Sequence, residues 1–323
     1  MITIEELHEL ELKQGEVHEA RFPIASLPDG TEVFIPVIVG EGIESGPTLL
    51  LTALIHGIEV GGYDTIRRLM YEEVNFSKVR GRIIAVPIVN PFAFSVANRF
   101  TPQDSVDLNR VFPGNKNGTL SQRIAYMLTK KIVKHADYVI DFHSCNPPSE
   151  FFTIVDSGGN DRVRETSWQI AEAFGVITVS PSIAVAGTFS GYLSSIGKPS
   201  ITPELTFSRR FDESSELAVQ GILNVMSHLS MIDVKTQEIM NALSFTKRFK
   251  YIVYHADKGG FVHLNKNVGE NIKEGDVFIT IKNPFGEAIE EVRSSVDGII
   301  IAYPMAGNQA VTTGDKLAYI AYL

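Results

Sequence analysis

The sequence has one cysteine, Cys145, among its 323 residues. A single thiol excludes an internal disulfide and a zinc site built from several cysteines. The sequence also has no apolar stretch near the roughly 20 residues that span a bilayer. No basic segment followed by an apolar run opens it, as a signal peptide would. We therefore expect a cytoplasmic protein with no membrane partner.

Positive charge is in short supply as well. The 29 lysine and arginine residues are outnumbered by 38 aspartate and glutamate residues, so the formal net charge is -9. A protein that binds nucleic acid normally carries a basic face, and we therefore expect no nucleic-acid partner. The apolar content of 44% and the charged content of 21% are typical of a globular protein. The length suits one large domain and one small domain.

Up to about residue 245, apolar runs typical of buried strands alternate with amphipathic segments typical of helices. This alternation predicts an α/β domain over residues 1–245, with a mostly parallel mixed sheet flanked by helices. A turn is predicted at residues 41–47. The predicted strands are residues 31–39, 50–55, 82–89, 138–142 and 177–179, and the predicted helices are residues 59–73, 121–135, 161–174 and 214–229.

The pattern changes over residues 246–323, where short β-rich runs are separated by glycine, aspartate and asparagine turn signals. We predict a separate small all-β domain there, similar to the barrel-sandwich domains of lipoyl and biotinyl carriers. Those carriers present a lysine on an exposed hairpin, whereas the comparable residues 303–307 contain none. A structural cap or an oligomerisation module is therefore the favoured interpretation.

Two of the predicted strands run directly into a histidine. His56 follows residues 50–55, with Glu59 three residues later, and His143 follows residues 138–142. The carboxyl ends of parallel strands meet at one edge of a sheet, so these side chains can converge. Two imidazoles and a carboxylate are typical zinc ligands that leave a coordination position open. Taken alone, His56 and Glu59 also suit a surface histidine and a glutamate favoured by a helix dipole.

Further polar residues are expected at the same edge. Asp141 precedes His143 by two residues and either orients an imidazole or only ends a strand. Arg99 and Arg110 can bind a carboxylate in a bidentate manner. They can equally be surface arginines paired with Asp104 or Asp107. Glu204 follows another apolar run and is a candidate general base, or an edge-strand glutamate in solvent.

Taken together, these motifs resemble the succinylglutamate desuccinylase/aspartoacylase family, which belongs to a wider group of zinc carboxypeptidase-like hydrolases. The resemblance covers roughly residues 45–230, and the β-rich region beyond suits the same family. The motifs that carry it, in chain order, are His56-Gly57-x-Glu59, Asn98-Arg99, Asp107-Leu108-Asn109-Arg110-x-Phe112-Pro113-Gly114, Asp141-x-His143-Ser144 and Glu204.

The resemblance implies a hydrolase with one zinc ion per chain that removes an acyl group from an N-acyl amino acid or a related small amide. By this likeness, His56, Glu59 and His143 would hold the zinc. Glu204 would be the general base that activates water and passes its proton to the leaving amine. The acyl group and the amine cannot be read from the motifs.

The likeness also implies how substrate would be held. Arg99 would polarise the scissile carbonyl, and Asn109 and Arg110 would hold the substrate carboxylate. Two alternatives remain open at this point: a zinc carboxypeptidase acting on short peptides, and a metal-binding scaffold without activity. No counterpart of the mobile tyrosine of peptide-cleaving carboxypeptidases can be assigned, which favours the small N-acyl amino acids. The oligomeric state is open, a symmetric homo-oligomer being the commonest form.

Three further features lie near the predicted site. Cys145 follows His143 by two residues and is expected to be a small buried filler, although it could also line the pocket or bind metal. Tyr192 is a candidate pocket residue. Residues 207–211 follow Glu204 and could reach the pocket or form a surface loop.

Overall fold

The computed structural model describes residues 2–206, 211, 213–233, 247–304 and 309–323. These residues form six α-helices, which are α1 (Gly61–Arg68), α2 (Pro91–Ser95), α3 (Leu120–Met127), α4 (Asp161–Phe174), α5 (Phe189–Ser195) and α6 (Glu213–His228). Single-turn π segments extend α1 over Leu69–Glu73 and α3 over Leu128–Ile132. Short 3-10 turns lie at Leu7–Glu9, Phe76–Lys78, Leu108–Arg110 and Val133–His135.

The same residues form 18 strands. The first ten are β1 (Ile2–Thr3), β2 (Val17–Ser26), β3 (Glu32–Glu41), β4 (Glu44–Thr52), β5 (Arg80–Val86), β6 (Tyr138–Asp141), β7 (His143–Ser144), β8 (Phe152–Ile154), β9 (Ile177–Pro181) and β10 (Ser200–Leu205). The others are β11 (Arg248–His255), β12 (Gly260–Leu264), β13 (Asn271–Ile272), β14 (Val277–Lys282), β15 (Ala288–Arg293), β16 (Gly298–Ala302), β17 (Ala310–Val311) and β18 (Lys316–Tyr322).

A mixed sheet of 14 strands forms the centre of the fold. Its order is β1-β2-β3-β5-β4-β6-β10-β8-β9-β11-β18-β16-β13, with β7 beside β10. The strands β5, β4, β6 and β10 are mutually parallel, whereas β8 is antiparallel to β10. The predicted α/β class with a mixed sheet and flanking helices is therefore confirmed.

The apolar runs make the central strands because both faces of the sheet are covered by helices. Along β4, Leu49 and Leu51 face a cluster that includes residues of α1, α4 and α6. Leu50 between them faces the opposite cluster, which includes residues of α3 and α5. Successive side chains of a strand point to opposite faces, so an uninterrupted apolar run is buried on both sides.

Helix α4 shows how local sequence signals set an element. The Asn160 side chain accepts a hydrogen bond from the Val163 N–H at 3.0 Å and caps the first turn. Gly175 ends the helix at φ 97°, a left-handed conformation that glycine adopts without strain. The helix predicted over residues 161–174 is confirmed at both ends.

Several boundary predictions were wrong, among them the strand predicted over residues 82–89, which ends at Val86. The strand predicted over residues 50–55 ends at Thr52, opposite the last residue of its neighbour β5, Val86. Beyond it, Leu54 adopts φ 55° and the chain leaves the sheet, although residues 53–55 stay buried. The turn predicted over residues 41–47 is confined to residues 42–43, because β4 already begins at Glu44.

The C-terminal strands continue the central sheet. Strand β11 pairs in parallel with β9, and β18, β16 and β13 follow it. Strands β15, β14, β12 and β17 form a second, antiparallel sheet, and the likeness of this region to a barrel-sandwich domain stays a prediction. The predicted domain boundary, between residues 245 and 246, falls in the segment 234–246, which lies outside the described residues. The boundary therefore stays a prediction. Among the described helices, none has the length and apolar character needed to cross a bilayer.

Candidate active site

The loop after β4 brings His56 to the edge of the sheet. Its neighbour Gly57 lies against the backbone of α2, where a Cβ would come within 2.1 Å of the Ala93 carbonyl carbon. The Gly57 N–H also donates to the Asn98 carbonyl at 2.8 Å. A side chain at position 57 would push this loop outward, so the glycine allows the close approach that positions His56.

His56, Glu59 and His143 converge as predicted. The Glu59 carboxylate lies 2.8 Å from His56 Nδ1 and 2.9 Å from His143 Nδ1, and the two Nδ1 atoms are 3.2 Å apart. Ligands roughly 2.0–2.1 Å from a tetrahedral zinc lie about 3.3 Å from one another, so these spacings suit one ion. All three residues are at least 97% buried. These three residues could therefore hold one metal ion.

The charges of the cluster depend strongly on one another. Burial alone would raise the pKa of Glu59, but the two imidazoles outweigh it, and the pKa lies well below its usual range. Burial alone would lower the pKa of His143, but Asp141 and Glu59 raise it well above normal. The cluster therefore contains an ionised carboxylate between two imidazoles that favour positive charge. A divalent cation can take the place of the imidazole protons between these three side chains.

The outer nitrogen of each imidazole has a carboxylate partner. His143 Nε2 lies 2.9 Å from Asp141 Oδ2, and Thr52 donates to the other Asp141 oxygen at 2.6 Å. His56 Nε2 lies 3.1 Å from Asp107 Oδ1. In the neutral form of each imidazole, with the outer nitrogen donating to its carboxylate, the Nδ1 atom has a lone pair directed at the centre. Asp141 therefore has the orienting contact that its sequence position indicated.

Arg99 lies beside the same centre, but its partner is within the protein. It donates to Asp107 Oδ2 from Nε at 3.1 Å and from Nη2 at 2.9 Å. Its Nη1 lies 3.9 Å from Glu59 Oε1. From the sequence, pairing with Asp104 or Asp107 was the alternative to binding a substrate carboxylate, and the structure shows the pairing with Asp107. It coexists with a guanidinium edge beside the candidate metal ligands, because Nη1 is left out of the Asp107 contact.

Asn109 and Arg110 lie at the mouth of the site. The Asn109 side-chain oxygen accepts from the Phe189 N–H at 2.7 Å, which directs its amide NH₂ towards His143, 3.4 Å away. The exposed Arg110 side chain donates to the Asn109 carbonyl at 2.6 Å. Among the described residues it forms no ion pair, so its guanidinium can bind an anion from solvent.

Glu204 is brought to the centre by strand pairing. In the register of β10 with β7 it lies opposite His143. Burial raises the pKa of the Glu204 carboxyl to about 7; the imidazoles of His143 and His56 work against this rise, and the Glu59 carboxylate adds to it. A carboxyl that changes charge near neutral pH can both accept and return a proton.

All seven predicted site residues line one cavity of about 660 Å³, a volume typical of small-molecule sites. Sequence reasoning missed several of its walls. Tyr251, Lys316 and Tyr319 come from the C-terminal strands, and Asp156 follows β8. The C-terminal region was treated as separate, and no motif marks these residues. Only the pairing of β11 with β9 reveals that they belong to the site.

Other sequence hypotheses had different outcomes. Cys145 lines the cavity and also packs in an apolar cluster, and burial, with Glu204 and Glu59 nearby, raises the pKa of its thiol well above normal. Tyr192 packs against the cluster around α3 and is not among the cavity residues. Of residues 207–211, only Phe211 is described, and residues 207–210 lie outside the described residues. Of residues 303–307, compared with the lysine hairpin of carrier domains, residues 305–307 also lie outside them.

Comparison with known proteins agrees with this geometry. The model of the family "Succinylglutamate desuccinylase/Aspartoacylase catalytic domain" matches residues 45–229. An N-alpha-acetyl-L-2,4-diaminobutyric acid deacetylase of Halomonas elongata is 28% identical over 299 residues, which cover 90% of this chain and 86% of that protein.

Solved structures show the same fold along nearly the whole chain. A succinylglutamate desuccinylase/aspartoacylase from Rhodobacter sphaeroides superimposes with a TM-score of 0.83 at 28% identity, covering 97% of each chain. The product-bound ectoine utilization protein EutE (DoeB) from Ruegeria pomeroyi has a TM-score of 0.84 at 24% identity, covering 97% of this chain and 98% of that one. At that identity, the second likeness concerns the fold alone.

Proposed function

Because this chain belongs to the succinylglutamate desuccinylase/aspartoacylase family, we propose that it is a zinc-dependent deacylase that hydrolyses the amide bond of a small N-acyl amino acid. The observation that carries the proposal is the convergence of His56, Glu59 and His143 in the cavity that Glu204 and Arg99 also line. When bound, zinc supplies Lewis-acid polarisation of the amide carbonyl and of the attacking water.

Each remaining role follows from placement. Glu204 takes a proton from the attacking water and delivers it to the leaving nitrogen, since its pKa lies near neutrality. Arg99 directs Nη1, which makes no contact with Asp107, to the negative charge that develops on the carbonyl oxygen. Asn109 offers amide N–H groups and Arg110 an unpaired guanidinium to the substrate carboxylate.

The position of Glu204 supports this proposal over an inactive scaffold. An inactive metal-binding protein has no need of a half-buried carboxyl opposite His143 with a pKa near neutrality. The cavity volume of about 660 Å³ suits an acylated amino acid, and the name of the Halomonas relative points to an acetylated diamino acid as one substrate to test.

The test combines metal analysis with hydrolysis. Wild type, Glu204→Gln and the exposed control Glu32→Gln are assayed against N-acetyl, N-succinyl and N-formyl amino acids and short peptides. We expect about one zinc per chain in all three proteins. Only Glu204→Gln should lose activity, by roughly 10²–10⁴-fold. Chelation should abolish wild-type activity, and added zinc should restore it.

Three outcomes would contradict the proposal. If wild-type protein contained no metal after purification, the proposed zinc site would be refuted. Metal-loaded protein that cleaves no amide of the panel would favour the scaffold, and preferred cleavage of peptides would favour a carboxypeptidase. Equal loss of activity in the Glu32→Gln control would show that the assay reports general damage rather than loss of the base.

A further inference from the structure

One carboxylate on the cavity wall has no part in the chemistry described so far. Asp156 is 94% buried and lines the cavity just beyond the end of β8. One of its oxygens accepts from the Gly158 N–H at 2.8 Å, and its side chain also bonds Ser194. A buried carboxylate is costly unless a positive charge accompanies it.

No such charge is present within the described residues. Two cations of the cavity have other partners: Arg99 pairs with Asp107, and the Lys316 ammonium lies beside the Tyr319 hydroxyl at 3.5 Å. The third, Arg110, donates to the Asn109 carbonyl and keeps its guanidinium available for an anion. None of them forms an ion pair with Asp156. Burial accordingly raises the pKa of Asp156, and only neutral hydrogen-bond donors oppose the shift.

Asp156 shares a wall with the proposed anchor of the substrate carboxylate. Tyr251 lines the same cavity as Glu204, Asp156 and Arg110. Burial, with the charges of Glu204 and Asp156, raises the pKa of Tyr251 to about 12, against the opposing charge of Arg110. Helix α5 links the two ends of this wall. Its first N–H holds Asn109, and its Ser194 bonds Asp156. A substrate gripped by Asn109 and Arg110 can thus extend its amino-acid side chain towards Asp156.

We propose that Asp156 binds an ammonium group on the amino-acid half of the substrate, so that the enzyme acts on N-acyl amino acids with a short cationic side chain. This rests on the proposed deacylase function and adds the residue that selects the substrate. The ammonium completes an ion pair with a carboxylate already ordered by two hydrogen bonds. A methyl group in its place leaves that carboxylate buried and unpaired.

A matched pair of substrates tests this directly. Nα-acetyl-2,4-diaminobutyrate and Nα-acetylnorvaline have the same skeleton, with a terminal ammonium in one and a methyl in the other. For wild type we expect kcat/KM to favour the cationic substrate by roughly 10- to 100-fold, because a buried charge-assisted hydrogen bond is at stake. In Asp156→Asn the ratio should fall towards one, mainly through KM for the cationic substrate.

The variant separates recognition from a structural role. Asparagine keeps an acceptor for the Gly158 N–H, so the turn is preserved. If Asp156 only shaped that turn, Asp156→Asn would lower kcat/KM for both substrates alike, and the proposal would be overturned. Asp161→Asn, an equal change of charge at an exposed position five residues away, should leave the ratio unchanged. A wild type that prefers the norvaline derivative would also overturn it.

A binding measurement keeps this inference apart from the proposed function. Calorimetry of the free products, 2,4-diaminobutyrate and norvaline, with zinc-loaded Glu204→Gln and with the Glu204→Gln/Asp156→Asn double variant requires no turnover. Selective binding of the diamino acid that disappears in the double variant supports Asp156 as the ammonium site even if hydrolysis fails. Equal binding of the two products refutes the ammonium site while leaving deacylation standing.

Discussion

Replacing Asp141 by asparagine tests whether the carboxylate behind His143 sets the metal affinity of the centre. Asp141 is 99% buried and bridges the Thr52 hydroxyl, at 2.6 Å, and His143 Nε2, at 2.9 Å. Asparagine has the same shape but one acceptor oxygen. If that oxygen keeps the Thr52 bond, its NH₂ faces His143 Nε2 and drives the imidazole proton onto Nδ1, the nitrogen that faces Glu59.

The expected effect follows from this conflict. An Nδ1 that carries a proton cannot bind metal, so the variant must either break the Thr52 bond or hold His143 in the wrong tautomer. Loss of a carboxylate behind a ligating histidine typically weakens metal binding 10- to 100-fold. That range corresponds to about 1.4–2.8 kcal/mol of binding free energy.

Zinc affinity is measured by competition with a chromophoric chelator for wild type, Asp141→Asn and the control Asp137→Asn. Asp137 lies at the start of the same chain segment, is exposed, and accepts only the Thr48 N–H. The control should bind zinc as wild type does. The reasoning is refuted if Asp141→Asn, with an unchanged melting temperature in the metal-free form, binds zinc within about threefold of wild type.

Two further predictions concern pH and the loop after β4. Burial raises the pKa of Glu204 to about 7, and only the ionised form is a base, so kcat/KM should rise with pH and then level off. Bound zinc favours the carboxylate and moves this rise below pH 7; a profile that falls with increasing pH over about pH 5–7 would contradict the assignment. Gly57→Ala places a Cβ 2.1 Å from the Ala93 carbonyl carbon. We expect the free energy of unfolding, measured in urea, to fall by about 1–3 kcal/mol. Gly259→Ala, with its nearest atom at 3.1 Å, should lose less, and the reverse order would show that the α2 contact does not restrain the loop.

The electrostatics of the cavity connect these experiments. Asp141 and Asp107 each hold the outer nitrogen of one imidazole, and Asp107 also holds Arg99. Asp156 has no such partner among the described side chains. The first two carboxylates contact residues of the candidate metal site, so their loss should affect every substrate. Loss of Asp156 should affect only substrates with positive charge, which makes the two classes of variant distinguishable in one assay.

Local signals in the sequence determined much of the candidate metal site and several elements. The apolar run around Leu49–Leu51 specifies a strand buried on both faces, because each side chain must avoid water on its own side. Asn160 and Gly175 specify the ends of α4 through contacts within one turn. The convergence of His56, Glu59 and His143 could be predicted because the ends of parallel strands lie at one edge of a sheet. In the structure the three side chains lie together at that edge.

The tertiary structure alone decided the rest, because strand pairing depends on partners far apart in the chain. The antiparallel insertion of β8 beside β10 positions the segment that ends at Asp156. The pairing of β11 with β9 brings Tyr251, Lys316 and Tyr319 to a cavity lined mostly by residues from the first part of the chain. Even the end of β4 at Thr52 depends on where β5 ends. Secondary-structure propensity depends on residues that are neighbours in sequence. The walls of this cavity depend on strand pairing between distant residues, which only the folded sheet supplies.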